Sequence, residues 1–320
     1  MKKALLTGER RFEIVDAPVP DVGPDEVLVR VAACGVCASE LDMWSGVAGA
    51  TFPMAPGHEA TGTVEALGSE VVGLRVGEAV AVWVTTGGFG EFVAVKEAYC
   101  HPVGDIPLTL ALGEPVACAV NAVDLARVRL GDEVLVVGGG FMGNLVQELV
   151  ALSGASRVIV ADTRQDALER ARTLGADRVV DVTREPIVDV VSDLTGGKGV
   201  DISFEVTGVQ QPLSWLGDVT RMSGKIAIAG YHQGPPRSLP LAQWNYMAFD
   251  IVNCHFREVS VINEGIARGM RLLSSGRLSM EPLVTHFFDL EDIDKAFQTL
   301  EDKPEGFVKA NVLIGAAGER

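Results

Sequence analysis

Basic residues are scarce in this chain. Lysine and arginine number 27 against 43 aspartates and glutamates over 320 residues, the formal net charge is −16, and no block of basic residues interrupts the sequence. A surface of that sign repels polyanions, so nucleic acid and anionic membranes are excluded as electrostatic partners and small molecules are expected instead. Cysteine is thin as well. Cys34, Cys37, Cys100, Cys118 and Cys254 are an odd number scattered along a large chain, which is no disulfide framework and fits a reducing cytoplasm. The start, Met1-Lys2-Lys3-Ala4-Leu5-Leu6, meets Gly8, Glu9, Arg10 and Arg11 before the apolar core of a signal peptide develops, and no run reads as long enough to span a membrane. No internal repeat or low-complexity segment stands out.

What is present is material for burial, with a hydrophobic fraction of 48% over a length that suits two domains. The first hundred residues are rich in valine and glycine, broken by Pro18, Pro20, Pro24, Pro53 and Pro56, and alternate in runs such as Glu26-Val27-Leu28-Val29-Arg30-Val31. This texture predicts short antiparallel strands in an irregular barrel-like domain. From about residue 119, helical stretches (120–126, 144–153, 165–174) alternate with apolar strands (134–137, 158–161, 179–180, 202–206, 225–229), the pattern of parallel βαβ units in a doubly wound sheet. Two amphipathic segments, 262–274 and 290–301, and a closing strand, 308–314, come last. The tail is expected to rejoin the first domain, because the doubly wound sheet has its complement of strands by Val261. The expected fold is α/β, with a β-rich domain from 1–118 and 258–320 and a dinucleotide-type domain from 119–257.

The strongest local signal is Val134-Leu135-Val136-Val137-Gly138-Gly139-Gly140-Phe141-Met142-Gly143, a strand feeding a G-x-G-x-x-G turn that opens a helix. Gly138 allows the tight turn, Gly140 lets backbone approach a pyrophosphate, and Gly143 lets helix pack close to strand, with Phe141 and Met142 between them at the helix N-terminus. A second strand, Val158-Ile159-Val160-Ala161, ends in Asp162, 24 residues after Gly138 and near where an acid accepts the adenosine ribose hydroxyls. Its carboxylate favours NAD. Arg164 offsets part of its repulsion of a 2′-phosphate, so NADP stays open.

Chemistry of another kind sits in the first domain. Gly35-Val36-Cys37-Ala38-Ser39-Glu40 and Pro56-Gly57-His58-Glu59 lie in glycine-bounded turns, and Glu114-Pro115 lies at the junction with the second domain. Thiolate, imidazole and carboxylate are the ligand types of a catalytic zinc, which takes three protein ligands and leaves a position for water or substrate. Spacing alone does not separate such ligands from a small buried cysteine or a satisfied core histidine.

With Gly57-His58-Glu59-Ala60-Thr61-Gly62-Thr63-Val64, Gly87-Gly88-Phe89-Gly90-Glu91-Phe92, Glu114-Pro115-Val116-Ala117-Cys118-Ala119 and the glycine fingerprint added, the sequence resembles a zinc-dependent medium-chain dehydrogenase/reductase of the alcohol dehydrogenase superfamily through nearly its whole length. The resemblance implies a GroES-like catalytic domain beside a Rossmann domain. It implies zinc ligation by Cys37 and His58, with Glu59 and Glu114 sharing the remaining protein position directly or through water, and catalytic roles for Ser39, Cys37, His58 and Glu59. Glu114 resembles the ligand of the sorbitol and threonine dehydrogenase branch, so Cys118 is read as helix-face packing. Lys309 resembles a basic residue that approaches the cofactor pyrophosphate, and reads equally as a solvated surface lysine. Thr207 and the turn Ala229-Gly230-Tyr231 end successive strands, the edge at which ligands bind in open α/β sheets. Trp44 reads as a wall of the substrate cleft or as packing. Phe256 and Arg257 resemble a segment near the nicotinamide, with Arg257 also readable as a surface charge.

Three departures from the family pattern stand out. The lobe of four closely spaced cysteines that holds a structural zinc in relatives is missing, since Val80-Ala81-Val82-Trp83-Val84-Thr85-Thr86 runs straight into Gly87, and one zinc per chain is expected. The relay histidine is replaced by Asp42, and the arginine that often follows the ribose-binding acid is Ala167. The function implied is an NAD(H)-dependent, zinc-requiring dehydrogenase that interconverts a secondary alcohol, of polyol, sugar-like or amino-alcohol type, and its ketone. Competing readings are a zinc-free quinone or enoyl-type reductase, opposed by Cys37, His58 and Glu114, and a non-catalytic NAD-binding protein. A homodimer or homotetramer is expected through 249–254 and Val259-Ser260-Val261-Ile262, whose β-branched residues read as the end of the parallel sheet.

Overall fold

Short strands do fill the valine-rich first third of the chain. The computed structural model describes residues 1–47 and 49–315. Residues Met1–Ala117 with Glu258–Arg320 make one unit, rich in β-structure, and Cys118–Arg257 make a second. The strands of the first segment are β1 (Lys2–Gly8), β2 (Arg11–Asp16), β3 (Glu26–Gly35), β4 (Glu59–Leu67), β5 (Ala79–Trp83), β6 (Phe92–Lys96) and β7 (Cys100–Pro102). The second unit supplies β8 (Glu133–Val137), β9 (Arg157–Asp162), β10 (Arg178–Asp181), β11 (Val200–Glu205), β12 (Thr220–Ile228) and β13 (Asp250–Asn253). The tail adds β14 (His286–Asp289) and β15 (Ala310–Leu313).

In the β-rich unit, β1 and β2 form an antiparallel ribbon, and a larger sheet runs β14-β15-β3-β4-β5-β7 with β6 also on β3. Because β3 pairs with β4, β6 and β15, the alternation expected at 26–31 gives way to near-continuous burial, with Val27, Leu28, Val29 and Val31 all inside. The tail is tied down by aromatic packing. Phe297, on helix Ile293–Asp302, has its ring centroid 5.1 Å from that of Phe12, 5.8 Å from Trp44 and 5.9 Å from Phe89. Trp44 is thereby a core residue and no cleft wall, and its Nε1 donates to Asp294 Oδ1 at 3.1 Å.

Two helices differ from expectation. The run Val259–Ile262 opens helix Val259–Ser274 instead of closing the sheet, because Ile266, Met270 and Leu273 recur at helical spacing and bury one stripe, which overrides the β preference of the branched residues. Helix Gly113–Ala126 begins a full two turns before the predicted start, so Glu114 and Cys118 both lie on it. Cys118 is exposed rather than packed, since the burial falls on Val116, Ala117, Ala119 and Val120 around it. The stretch Leu108–Ala126 also has the length and apolar composition of a membrane span, contrary to the sequence reading, and 61% of its most apolar window is buried in the fold.

The second unit is a parallel sheet in the order β10-β9-β8-β11-β12-β13. The order reverses beside β8, which places the crevice for a ligand at the carboxyl ends of β8 and β11. Its core packs Leu135, Ile159, Val180, Leu216, Ile226 and Trp244 between sheet and helices. Gly143 lets helix Phe141–Leu152 meet β8 closely, for a methyl there would stand 1.7 Å from the Gly138 carbonyl oxygen. Gly143→Ala should therefore cost about 1–3 kcal/mol by overpacking, read as a lower urea midpoint at unchanged slope. An unchanged midpoint would show that the turn has room to spare.

Candidate metal centre and dinucleotide cradle

The metal candidate is built where β3 ends and β4 begins. Pairing of Gly35 with Glu59 brings the residues beyond one strand beside those before the other. Val36 N–H donates to Ala310 O at 3.0 Å, and the chain then turns at Cys37, whose carbonyl accepts Glu40 N–H at 3.0 Å. Cys37, His58 and Glu59 each offer a ligand atom, and these atoms lie within 4.8 Å of one another. A sulfur, an imidazole nitrogen and a carboxylate oxygen are a donor set that suits zinc.

Each candidate ligand is held by a neighbour. The Glu40 carboxylate is buried, its Oε1 accepts Gly57 N–H at 2.7 Å, and His58 Nδ1 lies 3.0 Å from the same oxygen. That contact orients the ring and leaves Nε2 for a metal. Burial alone would lower the imidazole, yet hydrogen bonds to Cys37 and Glu40 outweigh it and push His58 up to about 12. A metal binding there must displace that proton. Glu59 is 1% exposed and meets Lys309, itself 4% exposed. Lys309 Nζ donates to Glu59 Oε1 at 2.7 Å, and Oε2, although close to the same ammonium, has no hydrogen bond of its own. Burial works against the Lys309 charge, but Glu59 foremost, with Cys37 and Glu114, raises its pKa. Ser39 Oγ donates to Cys37 Sγ at 3.2 Å.

Lys309 corrects one of the two readings made from sequence: it is no solvated surface lysine, being buried with its ammonium on Glu59. Glu114, in the first turn of helix Gly113–Ala126, stands outside the three-residue cluster, close enough for its charge to act on Lys309. Asp42 lies in the first turn of helix Leu41–Trp44, whose N-cap is Glu40, and its carbonyl accepts Val47 N–H at 3.0 Å. Cys34, fully buried nearby, has its thiol pushed well up by burial and then by the charges of Glu40 and Glu59, which keeps it protonated and a poor ligand. Sequence reasoning missed Glu40, whose only signal was a carboxylate three residues beyond Cys37.

The dinucleotide candidate sits on the second unit. Gly138 closes the turn after β8 with φ at 106°, and Gly140 stands at the N-cap of helix Phe141–Leu152, whose first turn, with Met142, carries no acid. A helix N-terminus of this kind directs backbone N–H groups and the positive end of its dipole toward an anion. Asp162 braces the turn as well as ending β9: Oδ2 accepts Gly139 N–H at 2.7 Å, and Oδ1 accepts Thr163 N–H at 2.7 Å and Arg164 N–H at 2.8 Å. Arg164 Nε stays 4.0 Å from Asp162 Oδ1. Ala167 is buried, with its Cβ facing Gly139. Thr207 follows β11 with its N–H on Glu205 Oε1 at 2.8 Å, and Gly230 follows β12 with its N–H on Glu205 O at 2.7 Å. Tyr231 is exposed and edge-on to His255, with ring centroids 5.6 Å apart. Arg257 is exposed and donates to the Phe256 carbonyl at 2.9 Å. Glu40→Gln, which removes the charge that orients His58, should weaken zinc binding about 10–100-fold in a competitive chelator titration. An unchanged affinity would show that Glu40 does not support the ligand.

Known proteins share this architecture. Residues 23–105 match the alcohol dehydrogenase GroES-like domain family, and 142–275 match the zinc-binding dehydrogenase family. Sorbitol dehydrogenase of Gallus gallus is 31% identical over 337 residues, covering 91% of this chain and 90% of that protein. L-threonine 3-dehydrogenase of Rhizobium etli (strain CIAT 652) is 28% identical, covering 96% of this chain and 98% of that protein. The crystal structure of an NAD-dependent alcohol dehydrogenase superposes with a TM-score of 0.88 at 27% identity, covering 98% of this chain and 100% of that one. The chain therefore belongs to the medium-chain alcohol dehydrogenase superfamily, in its sorbitol and threonine dehydrogenase-like branch, a family of zinc-binding, nicotinamide-dependent enzymes.

Proposed function

We propose that this protein is a zinc-dependent oxidoreductase that interconverts a secondary alcohol, of polyol, sugar-like or amino-alcohol type, and its ketone, with NAD(H) as the hydride partner. The observation that carries the reading is the cluster of Cys37, His58 and Glu59, a one-sulfur, one-nitrogen, one-oxygen donor set within 4.8 Å. The names of the sorbitol and threonine dehydrogenase relatives support the substrate class.

Zinc, when bound, supplies a Lewis acid that lowers the pKa of an alcohol hydroxyl. Cys37, His58 and Glu59 hold it, Glu40 fixes the ring of His58, and Lys309 balances the charge of Glu59. Glu114, whose charge acts on Lys309, is the third carboxylate near this charge set and shares the remaining protein position on the metal with Glu59, directly or through water. Ser39 Oγ, beside Cys37, takes the substrate hydroxyl proton outward to water or Asp42. On the second unit, Gly138, Gly140, Phe141, Met142 and Gly143 receive the pyrophosphate at the helix end. Asp162 Oδ2 keeps a lone pair for a ribose hydroxyl beyond its bond to Gly139, and its charge repels a 2′-phosphate. Arg164 moderates that repulsion without cancelling it, and the Asp162 carboxylate keeps NAD preferred over NADP.

One zinc per chain is the proposed stoichiometry. Elemental analysis should give a ratio near one, and Cys37→Ser should lose the zinc and more than about a hundredfold in turnover while binding NADH as before. A Cys37→Ser protein that keeps both zinc and turnover would overturn the reading.

Self-association is proposed through β13, the edge of the parallel sheet, where Ile251 is 44% exposed. An unpaired edge with an apolar outward residue is a template for a second copy across a two-fold axis. Light scattering should report at least a dimer and Ile251→Lys should shift it toward monomer, whereas a monomer that persists at high concentration contradicts the idea.

A further inference from the structure

Glu205 ends β11 fully buried, and the reaction above makes no use of it. A carboxylate this deep persists only with its oxygens hydrogen-bonded. Oε1 accepts Thr207 N–H at 2.8 Å and Gly208 N–H at 3.1 Å, with the Thr207 hydroxyl also upon it. Oε2 faces His232 Nε2 at 2.8 Å. The other ring nitrogen, Nδ1, accepts Arg237 Nε at 3.3 Å, so the imidazole carries its proton on Nε2 and donates it to Glu205. Arg237 also donates to the carbonyls of Gly208 at 3.1 Å, Gln233 at 2.8 Å and Pro235 at 2.9 Å.

The chain Arg237 to His232 to Glu205 therefore ties two loops together, 206–209 after β11 and 229–240 after β12. Between Ile228 and Leu241 the second loop has no regular structure, so side chains must set its shape. Its far end has its own tie, for Gln210 accepts Ser238 N–H at 2.7 Å and donates to Ser238 O at 2.8 Å. The loops also touch through backbone. A methyl on Gly230 would lie 2.4 Å from both Glu205 Oε2 and Gly208 N. With β8 first and β11 and β12 on the other side of the reversal, these loops belong to the mononucleotide half remote from the adenosine end, which Asp162 marks.

We propose that Glu205, His232 and Arg237 form a clasp that holds loop 229–240 in the shape that receives the nicotinamide end of the dinucleotide, acting as positioning residues rather than by contact with the reacting atoms. The proposal rests on the dinucleotide reading above. The test compares His232→Leu with His232→Gln, whose amide donates to Glu205 and accepts from Arg237 as the imidazole does. Arg237→Met, at the loop's outer side, serves if the buried change unfolds the protein. Hydrogen exchange over 229–238 is read together with calorimetric titrations of NADH and of AMP.

His232→Leu and Arg237→Met should speed exchange in the loop and raise the NADH dissociation constant about tenfold, the scale of one or two lost hydrogen bonds. AMP, which needs only the other half, should bind as in the parent, and His232→Gln should restore both readouts. Unchanged loop exchange overturns the clasp, and faster exchange with unchanged NADH affinity overturns its positioning role. A parent protein that binds no NADH overturns the cofactor reading, and the positioning role with it, even where exchange shows the loop fixed.

Discussion

Glu59 carries its charge into the interior of the β-rich unit, and the partner that makes this tolerable, Lys309, lies 250 residues along the chain. Removing one member of such a buried pair costs about 3–5 kcal/mol because it strands the other charge, so the C-terminal tail and the first strands must keep one mutual register. β15 then lies antiparallel to β3, the Ala310 carbonyl holds Val36, and the turn bearing Cys37 is set. Helix Ile293–Asp302 follows, with Phe297 against Phe12, Trp44 and Phe89. The same pair sets the charge of the candidate metal site, where the Lys309 ammonium lies 2.7 Å from each oxygen of Glu59.

Buried carboxylates recur as anchors. Glu40 ties the turn after β3 to Gly57 and His58, and Glu205 ties two loops at the carboxyl edge of the parallel sheet. In each case a group that is expensive to bury forces its surroundings into one hydrogen-bonded arrangement, which is what a preorganised site requires. The thiols divide along similar lines. Cys34 is kept protonated by burial and neighbouring negative charge, while Cys37 lies at a turn within reach of His58 and Ser39.

Much of this was legible in the residues, and the reason is locality. The glycine fingerprint is readable because each glycine answers a backbone demand within six residues, and the parallel sheet because apolar strands and helices alternate at regular length. Cys37 and His58 stand in turns whose glycines mark them. The role of Glu40 was not legible, since it depends on strand pairing that carries residue 40 to residue 58. The burial of Lys309 is not legible either, because its partner Glu59 is at the far end of the chain. Val259–Ile262 misled through β-branched composition, where the wider stripe of Ile266, Met270 and Leu273 decides for helix. The network of His232 and Arg237 left no pattern at all, as two loops of irregular backbone define it.

In the proposed metal site, Cys37, His58 and Glu59 are the protein ligands and the other thiols are excluded. X-ray absorption at the zinc edge of the metal-loaded protein tests this most directly. One sulfur at about 2.3 Å, with the remaining ligands nitrogen or oxygen at about 2.0–2.2 Å, is the predicted result. Two or more sulfurs in the shell, which would mean that Cys34 or Cys118 joins the site, or none, would contradict it.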